Sequence, residues 1–356
     1  MLFLKGGYEN IMKKYRYMWL ILVMFLICSL NITIFGQEKV INWRLQSMCA
    51  AGDFGFQGAD RFAKLVTEAS GGRLQVKAFT AGAIIPAGKE FDGVLTGSVE
   101  AAHVSAGWAI GYVPAGVFYT SCVGGLTGNQ FMMWLDNEGV DLAKDLYRPI
   151  GVEFIEQLTI HPAEVWAHSN KPLNSASDIK GLKIRMGTTA LNSIFEKMGA
   201  APVFLPGGEI YEAMQRGIID AFEYITPSLN WGMGFNEVAK YLYLSPSRSP
   251  SDAQSLFVNK KKWDELPDDL KRIVEMAAHQ VSRQFFTEEL LMDVVAIEEF
   301  KEYGTIVESI STDIEELMYE KSFEYYQEES AKDPDYAKVY NSMMSFAEIC
   351  KELDIK

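Results

Sequence analysis

Signatures of catalysis are missing from these 356 residues. No G-x-S-x-G, H-E-x-x-H, C-x-x-C or G-x-G-x-x-G occurs, so no nucleophile, zinc pair, redox dithiol or dinucleotide loop is nominated. The nearest approach to a phosphate loop, residues 83–90 (AIIPAGKE), lacks the opening glycine and puts Glu90 where a hydroxyl would hold a metal. Histidine is scarce: His103, His161, His168 and His279 stand alone, with no pair at metal-ligand spacing. Cations are also in deficit. Lys and Arg number 33 against 47 acids, and a formal charge of −14 excludes general nucleic-acid binding, which needs a basic face. Cysteine is limited to Cys28, Cys49, Cys122 and Cys350, without framework spacing. A disulfide scaffold is excluded, and the last three read as small buried hydrophobes.

What is present is a core and an address. Hydrophobic residues make up 48% and charged residues 22%, enough for a well-buried interior of two lobes. Lys13, Lys14 and Arg16 precede the apolar run 18–34, and Gly36-Gln37 follows it. A basic start, an apolar middle and a small residue before a polar one predict a secretory signal over 1–36, cleaved near Gly36. Met12 is an alternative start. An uncleaved membrane anchor is the competing reading, weakened by Asn31 and Thr33. Ile27 stands where a lipoprotein signal at Cys28 would need a small residue.

Along the rest of the chain, periodicity predicts strands at 41–47, 74–79 and 99–105 and helices at 59–70 and 89–96. Residues 51–58 read as a Gly-rich turn exposing Phe54 and Phe56. This alternation predicts an α/β fold with a parallel sheet. A helical connection is expected over 126–148 and one long strand over 151–167. The unit then recurs. FDGVLTGSVEAAHV (91–104) and YEAMQRGIIDAFEY (211–224) both end a helix at glycine, skip two residues, place an acid before alanine and continue as a strand. Two similar lobes are expected to face each other across a ligand cleft at their strand ends. Residues 252–258 read as a return crossing, and helices follow over 263–292, 296–303, 314–331 and 336–353. The last carries more apolar surface than a terminal helix shows to water, so it closes over the lobes or packs on a second subunit.

Three features nominate a site. Arg185, near the end of GLKIRMG, can grip a carboxylate with two prongs, which lysine cannot; a surface ion pair is the competing role. Glu164, Glu223 and Asp252 each stand at a strand end. If they converge they suit a hard cation such as Na⁺ or Ca²⁺; otherwise they are separate solvated acids. Trp108, Tyr224 and Trp231 supply aromatics, of which Trp108 beside glycines suits a cleft wall and Trp231 suits packing.

In order, FQGADRFAKLVTEASGGRLQVKAFTAGAI, GLKIRMG, PGGEIYEAMQRGIIDAFE and FVNKKKWDELPDDLKRIVEMAA resemble the solute-binding subunits of tripartite ATP-independent periplasmic (TRAP) transporters. The resemblance covers roughly residues 41–346. It implies a two-lobed, type II-like periplasmic-binding-protein fold with hinge-linked lobes, a ligand cleft and long C-terminal helices. It also implies a small organic acid as ligand, a membrane permease as partner, and no enzymatic step. By the resemblance Arg185 holds the substrate carboxylate, while Glu223, the Tyr224 backbone carbonyl and Asp252 hold a cation, as in the branch that binds 2-oxo acids and lactate. Glu164 departs from that branch, which has glutamine there. A third carboxylate favours a divalent ion over Na⁺ or leaves the site metal-free, with Glu164 binding the hydroxyls of a sugar acid. The boundaries implied are 37–161 with 251–290 for the first lobe, 162–250 with 291–332 for the second, and 333–356 for a C-terminal helix able to pair a homodimer. From other classes, a secreted hydrolase and a membrane-anchored sensor domain remain as alternatives.

Overall fold

In the computed structural model the described residues are Met12, 14–20 and 40–355. Most of the expected signal segment, with the cleavage expected near Gly36, lies outside them. No described helix is long and apolar enough to cross a membrane. In chain order the elements open with β1 (Ile41–Ser47), α1 (Phe54–Ala69), β2 (Leu74–Phe79), α2 (Glu90–Thr96) and β3 (Ala101–Val104). Helices α3 (Gly128–Trp134) and α4 (Val140–Tyr147) flank a π-helical turn and lead to β4 (Val152–His161). Then come β5 (Val165–Ser169), β6 (Lys183–Met186), α5 (Thr189–Lys197), β7 (Ala201–Phe204), α6 (Ile210–Gln215), β8 (Ala221–Phe222), α7 (Pro227–Gly232) and β9 (Tyr241–Leu244). The chain ends with β10 (Asp252–Asn259), α8 (Lys260–Asp264), α9 (Asp268–Tyr303), β11 (Ile306–Ser309), α10 (Thr312–Ser330) and α11 (Pro334–Glu352).

The strands form two sheets, ordered β2-β1-β3-β10-β4 and β11-β9-β5-β8-β6-β7. Both are mixed rather than parallel. β1 and β3 run parallel, but β10 lies antiparallel between β3 and β4 because the chain re-enters the first sheet from the second. The expected long strand 151–167 breaks at Pro162, which has no N–H for a ladder. β4 stays in the first sheet and β5 joins the second, where it pairs antiparallel with β8 and β9. The chain crosses back between β9 and β10, and Glu164 N–H donates to the Ser249 carbonyl at 3.0 Å, joining the two crossings.

The paired units at 91–104 and 211–224 take the same form. α2 and α6 are followed by left-handed glycines, Gly97 at φ 75° and Gly217 at φ 66°, before β3 and β8. Of the turn expected at 51–58, residues 51–52 form a turn while 54–58 are the first part of α1. Asp53 caps it, accepting from Gly55 N–H at 2.7 Å, and Phe54 stacks on Phe285 at 4.6 Å. Gly58 lets the helix sit against β4; a Cβ there would stand 2.5 Å from the Thr159 methyl. The helices expected at 263–292 and 296–303 form short α8 and the 36-residue α9. α9 packs on β4 and α1 of one sheet and on α7 and β11 of the other. Trp231 packs on Phe300. Cys49, Cys122 and Cys350 are free and buried.

α11 closes over its own chain. Phe118, fully buried, meets the rings of Tyr336 and Tyr340 on α11 and Tyr326 on α10 at centroid distances of 4.6, 5.6 and 5.7 Å. This aromatic cluster disposes of the apolar face that the sequence left without a partner. Phe118→Ala should therefore cost about 3–5 kcal/mol in chemical unfolding. A loss under about 1 kcal/mol, as at an exposed position, would show that α11 is not held this way.

A buried polar chain runs between the first sheet and α9. Ser47 Oγ meets His103 Nδ1 at 2.9 Å, and His103 Nε2 meets Thr159 Oγ1 at 3.0 Å. Thr159 donates to Gln254, which also bonds His161 Nε2 at 2.7 Å. His161 Nδ1 meets Glu289 on α9 at 2.7 Å, and Thr226, the N-cap of α7, donates to the same carboxylate at 2.8 Å. Burial alone would depress His161, but the charge and hydrogen bond of Glu289 raise it to about 10. Burial pushes His103 and His168 down to about 3. The raised group stabilises fully below its unfolded value of about 6.5 and loses that contribution as pH climbs toward 10. The two depressed histidines act oppositely: theirs is complete above about 6.5 and lost as pH falls. Thermal melting should decline as pH rises from about 6.5 toward 10, and His161→Gln should flatten that decline. A melting temperature that rises steadily up to pH 9 contradicts this.

Candidate functional site

β6 and β8 run parallel in the second sheet, pairing Arg185 with Phe222, so Glu223 leaves its strand beside the arginine. Arg185 is 7% exposed and turns inward. Its Nε donates to the Leu205 carbonyl at 2.9 Å, and its Nη1 donates to the Glu223 carbonyl at 2.7 Å and to Glu223 Oε1 at 3.1 Å. Gly187 N–H donates to the same Oε1; a Cβ on Gly187 would meet that oxygen at 3.0 Å and both Arg185 Nη atoms at 3.2 Å. Tyr224 lies with its ring centroid 5.6 Å from the Arg185 guanidinium carbon. Gly207 permits that placement, since a Cβ would come within 2.7 Å of the ring.

These groups open onto a cavity of about 330 Å³. Trp108, Glu164, Arg185, Glu223, Tyr224 and Asp252 all line it, drawn from both sheets and their crossings. Trp108 stands 42% exposed, while Glu164, Glu223 and Asp252 are buried. A larger open groove of about 470 Å³, including Tyr211, Glu237 and Lys240, gathers no comparable set of buried charges. Asp252 accepts from Thr120 Oγ1 at 2.8 Å and from Gln254 at 3.4 Å. Burial raises its pKa, opposed chiefly by the His161 charge and the Thr120 bond. Asp53, the cap of α1, adds a further acid to the wall.

Arg248 is the residue that sequence reasoning missed. It is fully buried in the crossing between β9 and β10. Its Nη2 donates to Glu164 Oε2 and, at 2.7 Å, to the Val165 carbonyl. Its Nε is shared between the Val165 and Trp166 carbonyls at 3.1 Å each. Nη1 lies 3.3 Å from Glu223 Oε2 as an ion pair, outside hydrogen-bond geometry. Ser249 Oγ donates to the other Glu164 oxygen at 3.1 Å. Burial holds Glu164 above the usual carboxylate range, opposed by Arg248 and reinforced by Asp252 and Glu223. The available signal was slight: Arg248 is the one cation between Lys240 and Lys260, four residues before Asp252.

The three strand-end acids share the cavity but do not form a three-carboxylate ligand shell. Among the described residues, the trio of His, Cys, Asp or Glu whose ligand atoms lie within 4.8 Å of one another is Asp136, Glu156 and His279, elsewhere in the fold. Arg283 Nη2 donates to Asp136 there at 2.7 Å, which makes that trio part of an ion-pair cluster. Glu164 is engaged by Arg248. Glu223 and Asp252, with the Tyr224 backbone carbonyl, remain an all-oxygen donor set whose chemistry fits a hard cation.

The chain is 29% identical over 308 residues to the monocarboxylate 2-oxoacid-binding periplasmic protein of Nostoc sp., covering 86% of this chain and 84% of that one. Its fold matches a TRAP periplasmic solute-binding protein from Colwellia psychrerythraea, solved with calcium and pyruvate, at a TM-score of 0.84 and 26% identity over 88% and 96% of the two chains. A counterpart from Pseudoalteromonas atlantica, solved with sodium and pyruvate, matches at 0.83 and 26% over the same shares. The two sheets are thus the two lobes of a periplasmic binding fold. Residues 46–333 match the model of the bacterial extracellular solute-binding proteins, family 7, and the chain belongs to that family.

Proposed function

We propose that this chain captures a small 2-oxo or 2-hydroxy monocarboxylate and hands it to the membrane permease of a TRAP transporter. Arg185 receives the carboxylate through Nη2, the arm that the Leu205 and Glu223 oxygens leave free. Glu223, the Tyr224 carbonyl and Asp252 hold a cation, which supplies positive charge for the oxygen beside that carboxylate. Trp108 and the Tyr224 ring close the apolar side. Residues 1–36 direct export. The lobes are 37–161 with 251–290 and 162–250 with 291–332, and they hinge about the crossings at Pro162–Glu164 and Ser245–Ser251.

The observation that carries this reading is the pairing of Arg185 with Glu223 on a cavity that Asp252 also enters. Its volume of about 330 Å³ is at the small end of the roughly 300–1,000 Å³ usual for ligand pockets, which suits a small acid. The ligands of the Colwellia and Pseudoalteromonas proteins, pyruvate with calcium or sodium, support the same class.

Calorimetric titration with pyruvate, lactate and longer 2-oxo acids should show tight one-to-one binding. Arg185→Ala should weaken it by about 10- to 150-fold, the worth of a charge-assisted hydrogen bond. Arg185→Lys should recover only part of the loss. Unchanged affinity in Arg185→Ala would remove Arg185 from the carboxylate role.

A further inference from the structure

The cavity wall carries more negative charge than an anion receptor ordinarily tolerates. Asp53, Glu164, Glu223 and Asp252 face it, and Arg185 is the cation among its lining residues. Yet the acids are not alike. Both Glu164 oxygens accept hydrogen bonds, from Arg248 and from Ser249, whereas Glu223 Oε2 meets only the ion-pair contact of Arg248 and Asp252 Oδ2 only a long 3.4 Å bond from Gln254. Arg248 itself has no route to solvent: it is fully buried, and four of its contacts go to Glu164 and to the Val165 and Trp166 carbonyls. A guanidinium placed there without an anion would be prohibitively desolvated. Its remaining arm, Nη1, is buried without a hydrogen-bond partner and reaches toward Glu223 Oε2.

We propose that Arg248 cancels the charge of Glu164, so that cation affinity in the cavity is set by Glu223 and Asp252 alone and a latent third carboxylate is held out of the shell. The inference rests on the cation reading given above. It makes Arg248 a positioning residue: it touches neither ligand nor ion, and acts by engaging Glu164 and biasing Glu223. Because charge interaction scales with ionic charge, the pair governs selectivity between divalent and monovalent ions more than it governs binding as such. The internal guanidinium opposes a divalent ion about twice as strongly as a monovalent one.

The test is calorimetric titration of Ca²⁺ and Na⁺, without organic acid, into chelator-treated full-length protein and three variants, with folding checked by thermal melting. Arg248→Met releases Glu164, and Ca²⁺ affinity should rise by at least about tenfold with a smaller rise for Na⁺. Glu164→Gln leaves Arg248 uncompensated and should weaken Ca²⁺ by a similar factor. The double variant Glu164→Gln/Arg248→Met matches the native net charge and should return close to the native Ca²⁺ affinity. A folded Arg248→Met with unchanged or weaker Ca²⁺ binding overturns the proposal. Where that variant does not fold, Glu164→Gln decides, and unchanged affinity in it has the same force. Native protein that binds pyruvate yet takes up neither ion overturns this inference and leaves the acid-binding reading intact. Native protein that binds the ions but none of the organic acids instead breaks the reading on which it rests.

Discussion

Charges shut away from water have to be paired, and in this protein one chain of them connects the fold to the cavity. Glu164, Arg248, Glu223 and Arg185 alternate in sign, each in contact with the next. Glu164 and Arg248 come from the two segments that cross between the sheets, while Glu223 and Arg185 come from the ends of neighbouring strands in the second sheet. Removing one member strips its neighbours of a buried partner, which is more damaging than exchanging a whole pair for neutral groups. The crossings are thereby tied electrically to the groups that would meet a ligand.

The rest of the structure supports that chain. Pro162 ends β4 and sends the chain to the second sheet, and β10 returns it to the first with Asp252 directly opposite His161. The His161–Glu289 pair then anchors α9, which packs on both sheets. α11 lies across Phe118 and α10, away from the cavity. Each of these elements buries its apolar face conventionally; what distinguishes the molecule is where its buried charges fall.

Much of this was legible in the sequence, and the reason is local. Gly97 and Gly217 mark helix ends because few other residues accept a left-handed backbone, so the paired strand–helix–strand units could be located. Arg185, Glu223 and Tyr224 stood out because polar residues at the ends of apolar strands are uncommon. What escaped was non-local or directional. Alternation identifies a strand but not its sense, so the antiparallel return of β10 was invisible and a parallel sheet was expected. Asp53 was a capping signal for α1, overridden by the glycines after it. Glu164 and Arg248 are 84 residues apart, in a Ser- and Pro-rich crossing without periodicity, and no local pattern could pair them. From sequence Glu164 reads as a third carboxylate, a binder of a sugar acid's hydroxyls or a separate solvated acid, whereas the structure pairs it with Arg248.

The central claim is that a small carboxylate sits against Arg185 while an oxygen shell of Glu223, Tyr224 and Asp252 faces it. A crystal structure of the protein grown with pyruvate and Ca²⁺ examines that claim most directly. The account predicts the pyruvate carboxylate on Arg185 Nη2, with Glu164 still bound to Arg248. Pyruvate seated away from Arg185, or absent from the cavity at saturating concentration, would contradict it.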